Sequence, residues 1–341
     1  MTVWVTTHEY HDSKTKPSER YMLRCFTIRN LTLHQPLIIK SLGLKFITSP
    51  FQPTDITWWV NIAVSCSICK LSIAYSFRRY LTFRRKYLTI LPRNLLTLKL
   101  HDDILLDVPL TVCLPCLKFL HLRYVAYVVE NSLQIILSNC PVLEDLIVDH
   151  EYSNVREIVV PSSLYTHKSL VTLKLEGKIL VDVPCMACLP SLKTLHLQCM
   201  RYSYEGSNQQ MILSNFPVLE ELLVKQYRSD NVIAIHVNIP FLKILSGDIA
   251  EIRVTDGFVI DCSLRYFKNM PKLEEADLDV LFPNVNNFLE AFTSRVKAVM
   301  YSNGILFDQI EHLKLCTCEI NWSTFMVQVL KESHKLRVLK L

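Results

Sequence analysis

The chain has 341 residues, 50% of them hydrophobic and 20% charged, with a net charge of +5. That suffices for one long solenoid or two ordinary domains, while only six glycines leave little room for glycine-rich phosphate loops. Mean hydropathy of +0.21 raises the membrane question, but the longest apolar stretches, such as Val108 to Leu117, contain prolines and fall short of the roughly 18–20 residues that span a bilayer.

Residues 1–36 read as a polar N-terminal segment, expected to be partly disordered. Its start, MTVWVTTHEYHDSKTK, is acid-containing and has no apolar signal core, so a cytoplasmic or nuclear location is expected. From Ile39 onward a short motif recurs, apolar at positions 1, 4 and 6. Ile39-Leu42-Leu44 and Ile68-Leu71-Ile73 are early copies. Between them a helix is predicted at about Pro53 to Val64, with Ile56, Trp59, Val60 and Ala63 on one face.

The stretch RRYLTFRRK follows, placing Arg78, Arg79, Arg84, Arg85 and Lys86 around Tyr80 and Phe83. Such a cluster reads either as a nucleic-acid patch or import signal, or as a solvated connection between strands. The second reading is preferred, because one charge cluster without a binding motif is a weak signal.

The clearest copies of the motif then come in series: Leu95-Leu98-Leu100, Leu117-Leu120-Leu122, Leu143-Leu146-Val148, Leu170-Leu173-Leu175, Leu192-Leu195-Leu197 and Leu219-Leu222-Val224. Their starts are 22, 26, 27, 22 and 27 residues apart, a leucine-rich-repeat period. Leu95 to Leu122 matches Leu170 to Leu197 at 18 of 28 positions, so 95–155 and 170–232 are an internal duplication. Alternate residues of a strand face opposite ways, so positions 4 and 6 share a face that stacked parallel strands can bury. The residues between them line the other, concave face. Lys99, His121, Lys174 and His196 are the candidate partner contacts there, and with Lys118 and Lys193 they suit an acidic partner. Ordinary surface filling is the other reading, and it is preferred.

Helical returns are predicted at Ser132 to Leu137 and Asn208 to Leu213, each stopped by Pro141 or Pro217. Position 9 lacks its usual Asn, which predicts an irregular solenoid. Twelve cysteines include three C-x-x-C spacings: Cys66/Cys69, Cys113/Cys116 and Cys185/Cys188. Within the duplication Cys113 aligns with Cys188, but Cys116 aligns with Ser191 and Cys185 with Leu110, so the spacing is accidental in at least one copy and no metal site is expected. Cys113 and Cys188 are instead expected to fill apolar space ahead of a strand. No phosphate loop, nucleophile elbow or zinc-protease motif occurs. The acidic pairs Glu144-Asp145, Glu220-Glu221 and Glu274-Glu275 follow strand periodicity. No catalytic residue and no cofactor are expected.

Weaker copies continue at Leu242-Leu245, Leu273-Ala276-Leu278, Ile310-Leu313-Leu315 and Leu336-Leu339-Leu341. Helices are predicted at about Asn287 to Met300 and about Trp322 to Lys331. The fold class is α/β: an irregular leucine-rich-repeat solenoid of about ten to eleven units, with parallel strands on the concave face and helices on the convex face.

Several phrases together resemble the plant F-box proteins that carry leucine-rich repeats and a C-terminal FBD domain: FQPTDITWWVNIAVS (Phe51 to Ser65), VPSSLYTHKSLVTLKLEGKILVDVP (Val160 to Pro184), CLPSLKTLHLQ (Cys188 to Gln198) and LSNFPVLEELLV (Leu213 to Val224). Phe307 to Leu341 looks like the opening of the FBD region, with Trp322 at its typical aromatic position. The resemblance covers roughly residues 21 to 341. It implies an F-box docking on the Skp-type adaptor of a cullin–RING ubiquitin ligase, and repeats that present a protein substrate.

Met1 to Arg20 does not read as a three-helix F-box, and the FBD-like text stops at Leu341. The expected division is therefore 1–36 without an intact F-box, 37–305 solenoid and 306–341 start of an FBD-like region. The expected function is a non-catalytic protein-recognition module with a protein substrate as partner and no membrane. An adaptor joins only where an F-box is present. The alternatives are a basic nucleic-acid-binding solenoid or a nonfunctional truncated member.

Overall fold

A tight turn delivers the chain into four of the leucine-motif strands. The amides of Leu117, Leu143, Leu192 and Leu219 bond the carbonyls of Leu114, Cys140, Leu189 and Phe216 at 3.1 to 3.3 Å. Pro115, Pro141, Pro190 and Pro217 hold the second position of these turns, where the fixed φ of the ring is favoured. The strand then begins at motif position 3. The computed structural model describes residues 2–7, 40–46, 60–61, 64–65, 67–76, 81–83, 85–150, 158–181, 188–202, 211–212, 216–225, 235–236, 241–250, 272, 274–281, 310–317, 330 and 334–340.

The chain forms two units, Met1–Asp149 and His150–Leu341. The first carries β1 (Thr2–Thr7), β2 (Ser41–Phe46), β3 (Lys70–Tyr75), β4 (Leu81–Phe83), α1 (Arg85–Ile90), β5 (Thr97–Asp102), β6 (Ile104–Leu106), β7 (Phe119–Arg123), β8 (Ala126–Tyr127), α2 (Ser132–Ser138) and β9 (Asp145–His150). Its main sheet has the order β1-β2-β3-β5-β7-β9, and neighbours pair in parallel. A narrow second sheet, β4-β6-β8, forms along the returns.

The second unit carries β10 (Ile158–Val159), a 3₁₀ turn at Ser162–Thr166, β11 (Thr172–Gly177), β12 (Ile179–Val181), β13 (Thr194–Gln198), β14 (Arg201–Tyr202), β15 (Met211–Ile212), β16 (Glu221–Lys225), β17 (Ile235–His236), β18 (Ile244–Ala250), β19 (Glu275–Leu281), β20 (His312–Thr317) and β21 (Val338–Lys340). Its main sheet runs β11-β13-β16-β18-β19-β20-β21, again parallel. The segment from residue 306 therefore adds strands to this sheet.

All twelve leucine motifs become main-sheet strands, and β1 adds one ahead of them. Register is motif on motif, with Leu98 beside Leu120, Leu120 beside Leu146, and Leu173 beside Leu195 beside Leu222. These leucines are at most 2% exposed. Each buried leucine is worth roughly 1.5–3 kcal/mol of transfer free energy. A second regularity runs beside them. The carbonyl at position 2 accepts two amides from the next coil, those of positions 2 and 3: Leu96 from Lys118 and Phe119, Lys118 from Glu144 and Asp145, Lys193 from Glu220 and Glu221.

Four coils leave the strand at position 8 by a left-handed residue, Asp102, Tyr124, Gly177 or Cys199, with φ of 70°, 53°, 97° and 56°. The amides of Tyr124 and Cys199 there bond Asp149 and Lys225 of the following strand at 2.7 Å. This replaces the absent Asn of position 9.

Two expectations change. Among the described residues the returns carry few helices; short strands take much of their place. Ser132–Ser138 is helical as predicted, but its counterpart contains β15, Met211–Ile212, paired with β17. A helix this short has no stability of its own, so whichever backbone partner packing offers decides its state. The predicted helices at Pro53 to Val64 and Trp322 to Lys331 are helical at the described Val60, Asn61, Val64 and Leu330, and otherwise lie outside the described residues, as does Asn287 to Met300.

The buried column sets a stability test. Leu120→Ala should cost about 2–5 kcal/mol, from lost transfer energy plus a cavity. Leu110→Ala, at a site 79% exposed, should stay within about 0.5 kcal/mol of wild type. Urea denaturation followed by circular dichroism reads both.

Candidate functional site

Strand alternation sends positions 3, 5 and 7 of every main-sheet strand to the face opposite the leucines. Lys99 and His121 are register partners on β5 and β7, and Lys174 and His196 are register partners on β11 and β13. The structure thus brings the four predicted contacts together as two Lys–His pairs, one in each unit, all half-buried.

Their surroundings differ. In the first unit His121 lies between two partners. Its Nδ1 is 3.2 Å from Nε2 of His101, and its Nε2 is 3.2 Å from Oδ2 of Asp149. One set of tautomers satisfies both contacts: His121 donates from Nε2 to the carboxylate and accepts from His101 at Nδ1. The two imidazoles meet edge to face, with centroids 4.4 Å apart. Lys99 places its ammonium 5.0 Å from the Phe119 ring centroid, a cation–π contact. Burial, then the charges of His121, Arg123 and Lys99, push His101 down to about 4, against a smaller upward pull from Asp149.

In the second unit His196 Nε2 lies 2.7 Å from Glu221 Oε1, and Thr194 donates to the same carboxylate. The equivalents of His101, Arg123 and Asp149 are Glu176, Gln198 and Lys225, so the relay has no counterpart there.

Lys118 and Lys193, grouped with these contacts from sequence, have other work. At position 2 Lys118 pairs with Glu144 at 2.6 Å, and Glu220 sits between Lys193 at 3.1 Å and Lys243 at 2.7 Å. Hydrogen bonds from Lys243 and then Lys193 hold the Glu220 carboxyl below its usual range. His101, Phe119, Arg123, Asp149 and Glu221 were missed from sequence. Their signal was available: each lies at an outward position 3 or 7.

Of the basic cluster, Arg78, Arg79 and Arg84 lie outside the described residues, and Arg85 and Lys86 open α1. Cys66 and Cys185 also lie outside them. Cys113 and Cys188 do not fill apolar space as expected; both are exposed, and Cys140 is the buried thiol. The turn proline explains this. The residue before Pro141 or Pro217 points inward, as Cys140 in one copy and Phe216 in the other, whereas Cys113 and Cys188 stand one residue further upstream. Burial, with Cys113 adding, pushes the Cys140 thiol up to about 12. Among the described residues no group of three or more His, Cys, Asp or Glu is placed to hold a metal ion, and no helix is long and apolar enough to cross a membrane.

The Leucine Rich Repeat family profile matches residues 116–141 and 191–217. An F-box/LRR-repeat protein of Arabidopsis thaliana is 32% identical over 100% of this chain and 71% of its own length. The chain belongs to the F-box/LRR-repeat family. An F-box/FBD/LRR-repeat protein of the same plant is 32% identical over 94% of this chain and 60% of its own. An FBD-associated F-box protein is 31% identical over 100% and 68%. Among solved structures, an internalin of Listeria monocytogenes aligns over 89% of this chain and 80% of its own at 15% identity and a TM-score of 0.40.

The depressed His101 sets a pH test. The unfolded chain takes up a proton near the ordinary value of about 6.5, and the folded chain only near 4. Below 6.5 the unfolded state therefore binds more protons, and stability falls as pH drops from 6.5 towards 4. The loss should be about 1–2 kcal/mol, less than the full linkage value because water still screens the half-buried ring. His101→Gln should flatten that part of the curve in urea melts, and an unchanged slope would refute the assignment.

Proposed function

We propose that this chain is a non-catalytic protein-recognition module, the substrate-receptor part of an F-box protein of a cullin–RING ubiquitin ligase, working in the cytoplasm or nucleus. One observation carries this reading: the strands divide their side chains cleanly. Leucines at positions 4 and 6 are spent on the core, and a row of polar, aromatic and charged groups is left at positions 3, 5 and 7. Stacked repeats present such a row as a broad surface suited to a macromolecular partner.

Family membership supports the ligase context, since the relatives are F-box proteins by name. The His101–His121–Asp149 relay does not suggest catalysis. Its middle member is occupied on both nitrogens, and burial, with the neighbouring cations adding, lowers His101 to about 4, which leaves it a weak base at neutral pH. Adaptor docking belongs to an F-box and not to this sheet face. β20 and β21, which fall in the FBD-like segment from residue 306, extend the sheet of the second unit.

A photo-reactive amino acid placed at Lys99 or Lys174 should crosslink a protein partner in plant extract, and one placed at the exposed Leu110 should not. Fusing an F-box ahead of the chain should add recovery of the Skp-type adaptor without changing the crosslinked partner. Equal crosslinking from Leu110, or adaptor recovered by the unfused chain, would overturn the reading.

A further inference from the structure

The duplication places two nearly identical backbones in one chain, so a difference in charge between their outward faces is informative. In the first unit, the outward positions of β2, β3, β5 and β7 carry Lys45, Lys70, Lys99 and Arg123, with His101 and His121 and no aspartate or glutamate. The nearest carboxylate on those strands is Asp102, in the half-buried left-handed turn. Outward acidic residues begin on β9, with Asp145 and Asp149; Asp149 is the register partner of Arg123 and is engaged by His121. In the second unit the same face is mixed: Glu176 stands for His101, Gln198 for Arg123, and Glu221 is outward on β16.

Register turns the cations into a line. Lys70 is at position 3 of β3, Lys99 at position 5 of β5 and Arg123 at position 7 of β7. Each step crosses one strand and advances two residues, about 4.8 Å by about 6.7 Å, so the charges stand roughly 8 Å apart along a diagonal. Alternate side chains of an extended peptide repeat at about 6.7 Å. The flexible lysine stems close the difference.

We propose that this diagonal takes an extended acidic peptide whose carboxylates alternate along the chain, one for each of Lys70, Lys99 and Arg123. The proposal rests on the protein-recognition reading above and adds the chemistry of the partner. A nucleic acid fits less well. Its bases would want an open aromatic face, but the Phe119 ring is covered by the Lys99 ammonium and met by the His121 ring at 6.4 Å. The His101 relay has a place in this picture too. By staying neutral it avoids adding to a crowd of cations, and it props His121 between Lys99 and Arg123.

The test is fluorescence anisotropy of the full chain with a labelled peptide of alternating Asp and Ser. Controls are the same composition in two blocks and a single-stranded oligonucleotide of equal charge. Lys99→Glu and Arg123→Glu should each weaken the alternating peptide by about tenfold or more. Lys174→Glu, the matching change in the other copy, should leave it within about twofold. All three sites are on the surface, and thermal melts matching wild type confirm folding. Equal weakening by Lys174→Glu, no preference over the block peptide, or tighter oligonucleotide binding would each overturn the proposal. A displayed peptide library separates the two levels. Enrichment of acidic peptides lost in Lys99→Glu supports it. Enrichment of neutral or basic peptides lost in that variant overturns the acidic chemistry and keeps the recognition face. No enrichment on the face overturns both.

Discussion

The position-2 carbonyl that accepts two amides from the following coil fixes more of this molecule than any side chain. It forces consecutive strands to start level with one another. Level starts place leucine beside leucine at positions 4 and 6, and that in turn makes the core of each unit a column rather than a set of patches. Any slip of one residue would turn the whole leucine row outward, so the hydrogen-bond spine and the apolar column enforce the same register.

Level stacking has an electrostatic consequence. Residues of like number in neighbouring coils stand about 4.8 Å apart, so a repeated charge would face its own copy. Position 2 answers with alternation, Lys118 against Glu144, and Lys193, Glu220 and Lys243 in turn. Positions 5 and 7 answer with histidine, which sits beside a carboxylate as His196 does with Glu221 and takes a neutral form where burial and then neighbouring cations disfavour its charge, as His101 does. These exposed pairs add little to stability. Their value lies in allowing a stacked register that unopposed charges would resist.

The sheet was legible because its determinants are periodic. The triplets announce inward positions, and the turn prolines announce strand entries. What escaped reading is the part that many side chains can satisfy. The left-handed residue at position 8 is Asp102, Tyr124, Gly177 or Cys199. Only the glycine is an obvious signal, because the conformation is imposed by the amide bonds across coils and not chosen by the residue. The short second sheets escaped for a similar reason, since two- and three-residue strands carry no period. Attention to the triplet itself hid His101 and Asp149, which lie one step beyond it. Cys113 was misplaced because a sequence neighbour of Leu-Pro was taken for an inward residue, when the inward place belongs to the residue before the turn proline.

The internal duplication shows how the two demands are kept apart. The three coils of one copy and the three of the other have nine equivalent inward places at positions 1, 4 and 6, and all nine hold the same residue. Of the nine equivalent outward places at positions 3, 5 and 7, only Thr97/Thr172, Lys99/Lys174 and His121/His196 agree. Buried leucines answer to close packing, where even a methylene is felt, and so tolerate little. Outward residues answer to water and to whatever is bound, and are free to differ. The same backbone therefore carries a cationic face on β2, β3, β5 and β7 of one unit and a mixed one in the other, a difference written entirely at outward places and not at inward ones.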